Sequence, residues 1–298
     1  MKENKARVIA FYLPQYHPIP ENDKYWGKGF TEWTNVAKAK PLFRGHYQPH
    51  IPADLGFYDL RLPEVREAQA ELARDAGIEG FCYYHYWFGN GKMLLQKPFE
   101  EVLRLGKPDF PFCLCWANHD WTTKTWVKGS SMVNNTMIAQ QEYLGEQDDI
   151  KHFEYCLRAF KDHRYITIEG KPIFLIYDPL SFPNVKEFMN RWNFLAKKNN
   201  LKGIYFIGVT TGRQSSYKIV TNLGFDGVCH NRRWEAEAKA AGFRFVRRMQ
   251  SLLGWHLGIS LMKYDYNKVV RNYDTPENKL ENCYPVITPG FDRTPRAG

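Results

Sequence analysis

The sequence predicts an α/β fold, a (β/α)8 barrel of the TIM type built as a single domain over residues 1–298. Three observations lead there. Short, near-continuous apolar runs rich in β-branched and aromatic residues alternate with amphipathic helical segments, the pattern of a parallel sheet covered on both faces. Polar and aromatic side chains gather where those runs end, which is where parallel barrels keep their chemistry. Neither a GxGxxG nor a P-loop follows the first strand, so a doubly wound nucleotide-binding sheet loses its main support.

The first strand, residues 8–13, empties into a stretch of aromatics, histidines and prolines over residues 14–61 that reads as one long loop. Connections of more than about 12–15 residues without regular structure are uncommon and usually functional, so this loop is expected to wall a binding site. Leu62-Pro63-Glu64 opens a helix with Val65, Ala68, Leu72 and Ala76 on one face, and Gly77 ends it. Residues 78–84 read as the second strand, 98–105 as a helix and 112–116 as the third strand. A second long loop, 118–146, leads to a helix over 148–163. Residues 165–177 read as a ribbon turning at Glu169-Gly170 into the fourth strand. Helix 185–199, strand 205–209, helix 216–223 and strand 227–230 follow. Helical stretches over 235–257 and 266–272 precede a seventh strand at 284–288. An eighth strand and its helix belong after Pro289-Gly290-Phe291-Asp292-Arg293-Thr294-Pro295, and the chain stops at Gly298, so the barrel is expected to lack them.

Composition narrows the function. Aromatics make up 16% of the chain, with 20 Phe, 18 Tyr and 9 Trp. Most Phe residues read as core. Trp and Tyr in polar company, as in Tyr83-Tyr84-His85-Tyr86-Trp87, suit sugar stacking and hydrogen bonding. A net charge of +9 admits nucleic acid, an anionic membrane or an anionic substrate. No nucleic-acid motif accompanies the charge and the basic residues are spread, so a solvated surface and no nucleic-acid partner are expected. The local concentration is Arg232, Arg233, Lys239, Arg244, Arg247 and Arg248, partly interleaved with Phe243, Phe245, Val246 and Met249. It fits an ordinary surface helix or a peripheral membrane contact. The six cysteines lack CxxC spacing and sit mostly in apolar runs, as reduced core residues of a cytoplasmic protein do. With no apolar leader and no membrane-spanning run, the Asn134-Asn135-Thr136 sequon carries no expectation of glycosylation.

Read in order, the strand ends present Tyr12 and Gln15, then Tyr84, Tyr86 and Trp87, then Trp116, Asn118, Asp120 and Trp121. Tyr177 and Asp178, Thr210, His230 and Asp292 complete the rim. Flat apolar platforms with amide and carboxylate partners are what a polyhydroxylated ring needs. Glycosyl transfer usually takes two carboxyl groups. Of Glu32, Asp120, Asp178, Asp226 and Asp292, the contexts of Asp120 and Glu32 best fit catalysis. Each also has a structural reading: Glu32 as a loop anchor, Asp178-Pro179 as a helix entry, Asp226-Gly227 as a turn. His17, His46, His50, His85 and His119 crowd this half without HxH or HExxH spacing. They read as sugar hydrogen-bonding or structural residues, and neither a metal nor a cofactor is expected.

The segments FYLPQYHP, YWGKGFTEWTNVAKAKPLFRGHYQPHIPADLGFYDLR, GFCYYHYWF, CLCWAN and PGFDRTPR resemble the WbsX-type proteins of polysaccharide biosynthesis loci, relatives of glycoside hydrolase family 99, the endo-α-mannosidase and endomannanase group. The resemblance implies a (β/α)8 barrel that makes or remodels bacterial surface glycans such as O-antigen. It also implies a sugar-binding rim of Tyr12, Gln15, Trp33, Tyr84, Tyr86, Trp87, Trp116, Asn118 and Trp121, to which the residue reading adds His50, Tyr177 and Asp292. In the hydrolase relatives two glutamates in an eighth-strand Asn-Glu-Trp-x-Glu type segment carry catalysis, and no residue of this sequence matches them. Asn118-His119-Asp120-Trp121 departs from the Asn-Glu-Asn-Trp expected there. Three readings follow: a glycoside hydrolase or transglycosylase, impaired in this length of chain; a glycosyltransferase using an activated donor; and a non-catalytic glycan-binding barrel.

Overall fold

Seven parallel strands form the central sheet of the computed structural model, which describes residues 6–123, 125–126, 133–134, 136–210, 216–242, 248–250, 252–253, 264–290, 292 and 294–297. They are β1 (Ile9–Tyr12), β2 (Gly80–His85), β3 (Phe112–Trp116), β4 (Lys171–Ile176), β5 (Tyr205–Val209), β6 (Gly227–His230) and β7 (Cys283–Pro285). Each pairs with the next in chain order, the succession of a β/α barrel, and the sheet curls into a half-barrel whose ends are β1 and β7. Thr167–Ile168 pairs antiparallel with the start of β4. Their turn places Glu169 at φ 54° and Gly170 at φ 75°, the two positive values that a tight two-residue hairpin requires.

The helices are α1 (Pro20–Trp26), α2 (Glu32–Lys38), α3 (Pro63–Asp75), α4 (Lys97–Leu105), α5 (Glu146–Phe160), α6 (Val185–Lys198), α7 (Tyr217–Asn222), α8 (Arg233–Ala240), α9 (Tyr266–Val270) and α10 (Thr294–Ala297). Two expectations need correction. The supposedly irregular 14–61 segment contains α1 and α2. Pro20 sits in the first turn of α1, where its missing N–H costs nothing. Thr31 caps α2, its hydroxyl accepting from the Trp33 N–H at 3.2 Å while its own N–H donates to the Thr34 hydroxyl at 3.3 Å. The 118–146 segment likewise carries two small antiparallel ribbons, Trp121–Thr122 with Met137–Ala139 and Thr125–Trp126 with Val133–Asn134. Of the helix expected over 235–257, α8 and the helical residues 248–250 and 252–253 are described, with a break after α8 at Ala241-Gly242; Phe243, Arg244, Phe245, Val246 and Arg247 lie outside the described residues. Arg232 pairs with Glu235 and Arg233 with Glu237. No helix of the described residues is long and apolar enough to cross a membrane.

Alternation along the strands sorts the aromatics. Phe11 stacks on Tyr84 at 5.4 Å, whereas its neighbour Tyr12 meets Phe81 at 5.1 Å and Tyr83 at 4.5 Å, so the two point to opposite faces. Phe81 and Tyr83 continue toward Phe110 and the α4 residue Phe99. Trp192 of α6 is fully buried and lies within 5.5 Å of the rings of His152, Phe153, Phe174 and Phe188.

Candidate functional site at the strand ends

Gln15, just past β1, is the first polar group of the rim, and it is 4% exposed. Its carbonyl accepts the Glu32 N–H at 3.4 Å, which sets the start of α2 against the exit of β1. The Glu32 carboxylate, buried at 6% exposure, is held on both oxygens by Arg296 of α10. Arg296 Nη2 also donates to Gln15 Oε1 at 3.1 Å. Burial alone would lower the Arg296 pKa, but attraction and hydrogen bonding to Glu32 outweigh it and raise it. Tyr86 and Tyr16 lie within the electrostatic reach of this pair. A carboxylate gripped on both oxygens is placed to stabilise charge, and to donate a proton it would have to release Arg296.

The half-buried rings Tyr84, Tyr86, Trp121, Tyr177 and His119 occupy the exits of β2, β3 and β4. Tyr86 and Trp121 lie nearly parallel, 5.8 Å apart at 20°. Tyr177 stands edge-on to Tyr84 at 5.9 Å and to His119 at 5.5 Å. Burial is the main reason the Tyr84 and Tyr86 hydroxyls are pushed far up from the phenol range, which keeps them neutral hydrogen-bonding groups.

Other expected contacts sit in the scaffold. Tyr12 is 9% exposed and donates to Gln69 Oε1 at 2.6 Å, on the α3 side of the sheet. Trp87 and Trp116 are buried at 3% and 2% on the helix side; Trp87 Nε1 donates to Asp148 at 3.1 Å and Trp116 Nε1 to the Trp87 carbonyl at 2.9 Å. The alternation that brings Tyr84 and Tyr86 to the rim turns these three away. Asn118 spends its amide on structure: Oδ1 accepts the Asp178 N–H at 2.7 Å, and Nδ2 donates to the Asp178 carbonyl at 2.8 Å and to Tyr143 Oη at 2.9 Å. Trp33 is half-buried between Tyr16 and Tyr58 and donates to the Tyr58 carbonyl at 2.8 Å.

The carboxylates divide in the same way. Asp120 is exposed and accepts the Gln141 N–H at 2.7 Å, closing the base of the Trp121 ribbon, and no described contact joins it to Glu32. Asp178 accepts from the Ser181 hydroxyl at 2.8 Å, as a turn residue does. Asp226 lies at the opposite end of the sheet, before β6, and accepts the Phe206 N–H at 2.8 Å. Asp292 ties the long 14–61 segment to the C-terminal residues, accepting from Gln48 at 2.6 Å and from the Thr294 N–H at 2.8 Å, with His46 Nε2 at 2.8 Å and His50 at 3.9 Å. Its burial opposes ionisation, yet hydrogen bonds from Thr294, His46 and Gln48 hold it well below the usual carboxylate range. Thr210 and His230 are both buried at 1%, bonded to Asn231 and Asn278. Arg296 is not marked by its own neighbourhood because its partner lies 264 residues away; its one signal in the sequence is its place in PGFDRTPR.

The fold and this rim define a parallel α/β half-barrel with its polar and aromatic surface at the C-terminal strand ends. The model of the family described as glycosyltransferase WbsX matches residues 8–298, and the chain belongs to that family, whose description is that of a carbohydrate-active enzyme. Similar curated proteins include an uncharacterized protein, WxcX, of Xanthomonas campestris pv. campestris, in strain B100 and in strain ATCC 33913; each is 34% identical over 291 residues. The match takes in 98% of this chain and 39% of theirs, so the chain spans about two fifths of the length of those relatives. Among solved structures, an endo-alpha-mannosidase of the GH99 family from Bacteroides thetaiotaomicron is similar at a TM-score of 0.44 and 16% identity, over 75% of this chain and 58% of that one. A glycoside hydrolase-like protein is similar at 0.45 and 15%, over 76% and 58%.

Proposed function

We propose that this chain carries the sugar-binding surface of an enzyme that cleaves or transfers glycosidic bonds in bacterial surface polysaccharide, O-antigen being the expected class. The observation that carries the reading is the Tyr86–Trp121 pair within the field of the Glu32–Arg296 ion pair: a stacking platform beside a held carboxylate. In this reading Tyr84, Tyr86, Trp121 and Tyr177 bind sugar rings, Gln15 and Arg296 orient hydroxyls, and Glu32 stabilises developing positive charge. Asp120 positions the Trp121 ribbon. The six cysteines, all free and buried, support work in a reducing compartment such as the cytoplasm.

The family description favours a second reading, transfer from an activated sugar donor. Binding of oligosaccharides released from bacterial O-antigens, followed on an array and by calorimetry, tests the site. Tyr86→Ala and Trp121→Ala are each expected to weaken the tightest binder by roughly tenfold, the loss of one aromatic contact. Absence of any oligosaccharide binding, or binding indifferent to both substitutions, overturns the site. Calorimetric binding of nucleotide sugars supports transfer, their failure to bind supports hydrolysis, and glycan binding without turnover of the bound oligosaccharide supports the non-catalytic barrel.

A further inference from the structure

Behind the rim, on the helix side of the sheet, two histidines face each other. His85 is the last residue of β2, and α5 supplies His152 and Cys156, four residues apart and therefore on one face of that helix. His85 Nε2 and His152 Nε2 are 2.8 Å apart. One ring nitrogen of each histidine and the Cys156 sulfur all lie within 4.8 Å of one another, in residues that are 4%, 1% and 0% exposed.

The rings are locked in that orientation. Trp87 stacks on His152 at 4.7 Å and 3°, and Tyr155 stacks on His85 at 5.5 Å and 11°. Trp116 and Trp192 meet His152 edge-on at 4.7 and 4.9 Å. These indoles are themselves tied down, Trp87 to Asp148, Trp116 to the Trp87 carbonyl and Trp192 to the Asp149 carbonyl. Groups that fix ring orientation around paired imidazoles and a thiol are what a metal centre needs outside its ligands.

We propose that His85, His152 and Cys156 form a buried site for one soft d10 metal ion, copper(I) or zinc(II), that clamps β2 to α5 beneath the rim. Two imidazoles and a thiolate suit such ions. Ligand nitrogens about 2.0–2.1 Å from one ion stand about 3.3–3.5 Å apart, so binding widens the imidazole pair by roughly half an ångström. On binding, Cys156 gives up its thiol proton to solvent and its sulfur lone pair to the metal; both histidines bind as neutral rings. With copper(I) the loaded centre is uncharged, and with zinc(II) it keeps one positive charge, which an apolar box of tryptophans disfavours. Spacing rules miss the site because only His152 and Cys156 share an element.

The test loads metal-stripped protein anaerobically with copper(I) or zinc(II) against a competing chromogenic chelator. One ion retained per chain, with two nitrogens and one sulfur around it by X-ray absorption and with quenched tryptophan fluorescence, supports the site; the relative retention names the ion. Cys156→Ser is expected to weaken retention at least tenfold, while Cys115→Ser, whose thiol neighbours Cys82 on the inner face, leaves it unchanged. No stoichiometric retention, a sulfur-only shell, or equal retention by Cys156→Ser overturns the proposal and leaves a hydrogen-bonded imidazole pair. If Cys156→Ser does not fold, the ligand shell of the unsubstituted protein decides.

Discussion

Arg296 serves two partners at once, the Glu32 carboxylate and the Gln15 amide oxygen, and through them joins the C-terminal helix to the first strand's exit. Glu32 is buried, so removing the guanidinium leaves a carboxylate with fewer partners than its burial demands. Arg296→Met is expected to cost about 1–2 kcal/mol in urea unfolding, at the lower end for a buried charge losing its partner, because the Arg296 side chain is 55% exposed and solvent screens the pair. Adding Glu32→Gln should recover part of that loss, since the charge that Arg296 neutralised is then gone. A single substitution as stable as the unsubstituted protein would show that water already serves Glu32 as well as Arg296 does. At this scale the sequence located Glu32 and ranked it with Asp120. Only the packing separates them: both are carboxylates beside tryptophans, but one faces a guanidinium at the rim and the other a backbone N–H at a ribbon base.

Elements were legible wherever one periodicity ran long enough to dominate. β3, β5 and β6 are apolar runs between turn residues and occupy the positions their pattern predicts, and α3 and α6 agree with theirs to within one residue. The short helices α1 and α2 were not legible, since seven residues hold too few turns to establish a hydrophobic face; Pro20 in the first turn of α1 and the Thr31 cap of α2 are their local signals. Strand spacing explains one constraint at this scale. A Cβ added at Gly80 would lie 2.5 Å from the Pro111 carbonyl oxygen, a backbone atom held by the β2–β3 pairing. Gly80→Ala is therefore expected to lose roughly 1–3 kcal/mol, read as a lower melting temperature, because the strands must part to admit a methyl group. Gly242→Ala would not probe packing at all, its Cβ meeting nothing within 4 Å. An unchanged melting temperature in Gly80→Ala would mean that β2 and β3 are less tightly joined than their register implies.

At the scale of the molecule, buried histidines make stability depend on pH. Burial lowers His17 from 6.5 to about 4, so between those values the unfolded chain binds a proton that the folded chain refuses. Its contribution is complete above pH 6.5 and lost as pH falls toward 4, up to about 3 kcal/mol for a side chain only 1% exposed. His85, brought down to about 3 by burial, and His152 act in the same direction. Asp292 is the opposite kind of group with the same consequence: its depressed carboxyl stabilises above the ordinary carboxylate value and stops doing so as pH falls below it. Urea midpoints should therefore decline from pH 7 to pH 4 and continue to decline in stronger acid. His17→Phe should flatten the upper part of that decline, and a slope unaltered by the substitution would place the proton elsewhere.

The sequence by itself determined the fold class, the order of the seven strands, the family and the aromatic character of the rim. These follow from local periodicity and from contiguous segments, which are properties of neighbours in the chain. It also nominated every strand-end residue without regard to direction, and there the tertiary structure decided. Because successive strand residues point to opposite faces, Tyr84, Tyr86 and Tyr177 reach the rim, while Tyr12, Trp87 and Trp116 pack against helices and Asn118 clamps two loops. The pairing of Glu32 with Arg296, and of His85 with the α5 residues His152 and Cys156, had no local trace, since the partners come from separate elements that only the curl of the sheet and the packing of its helices bring together.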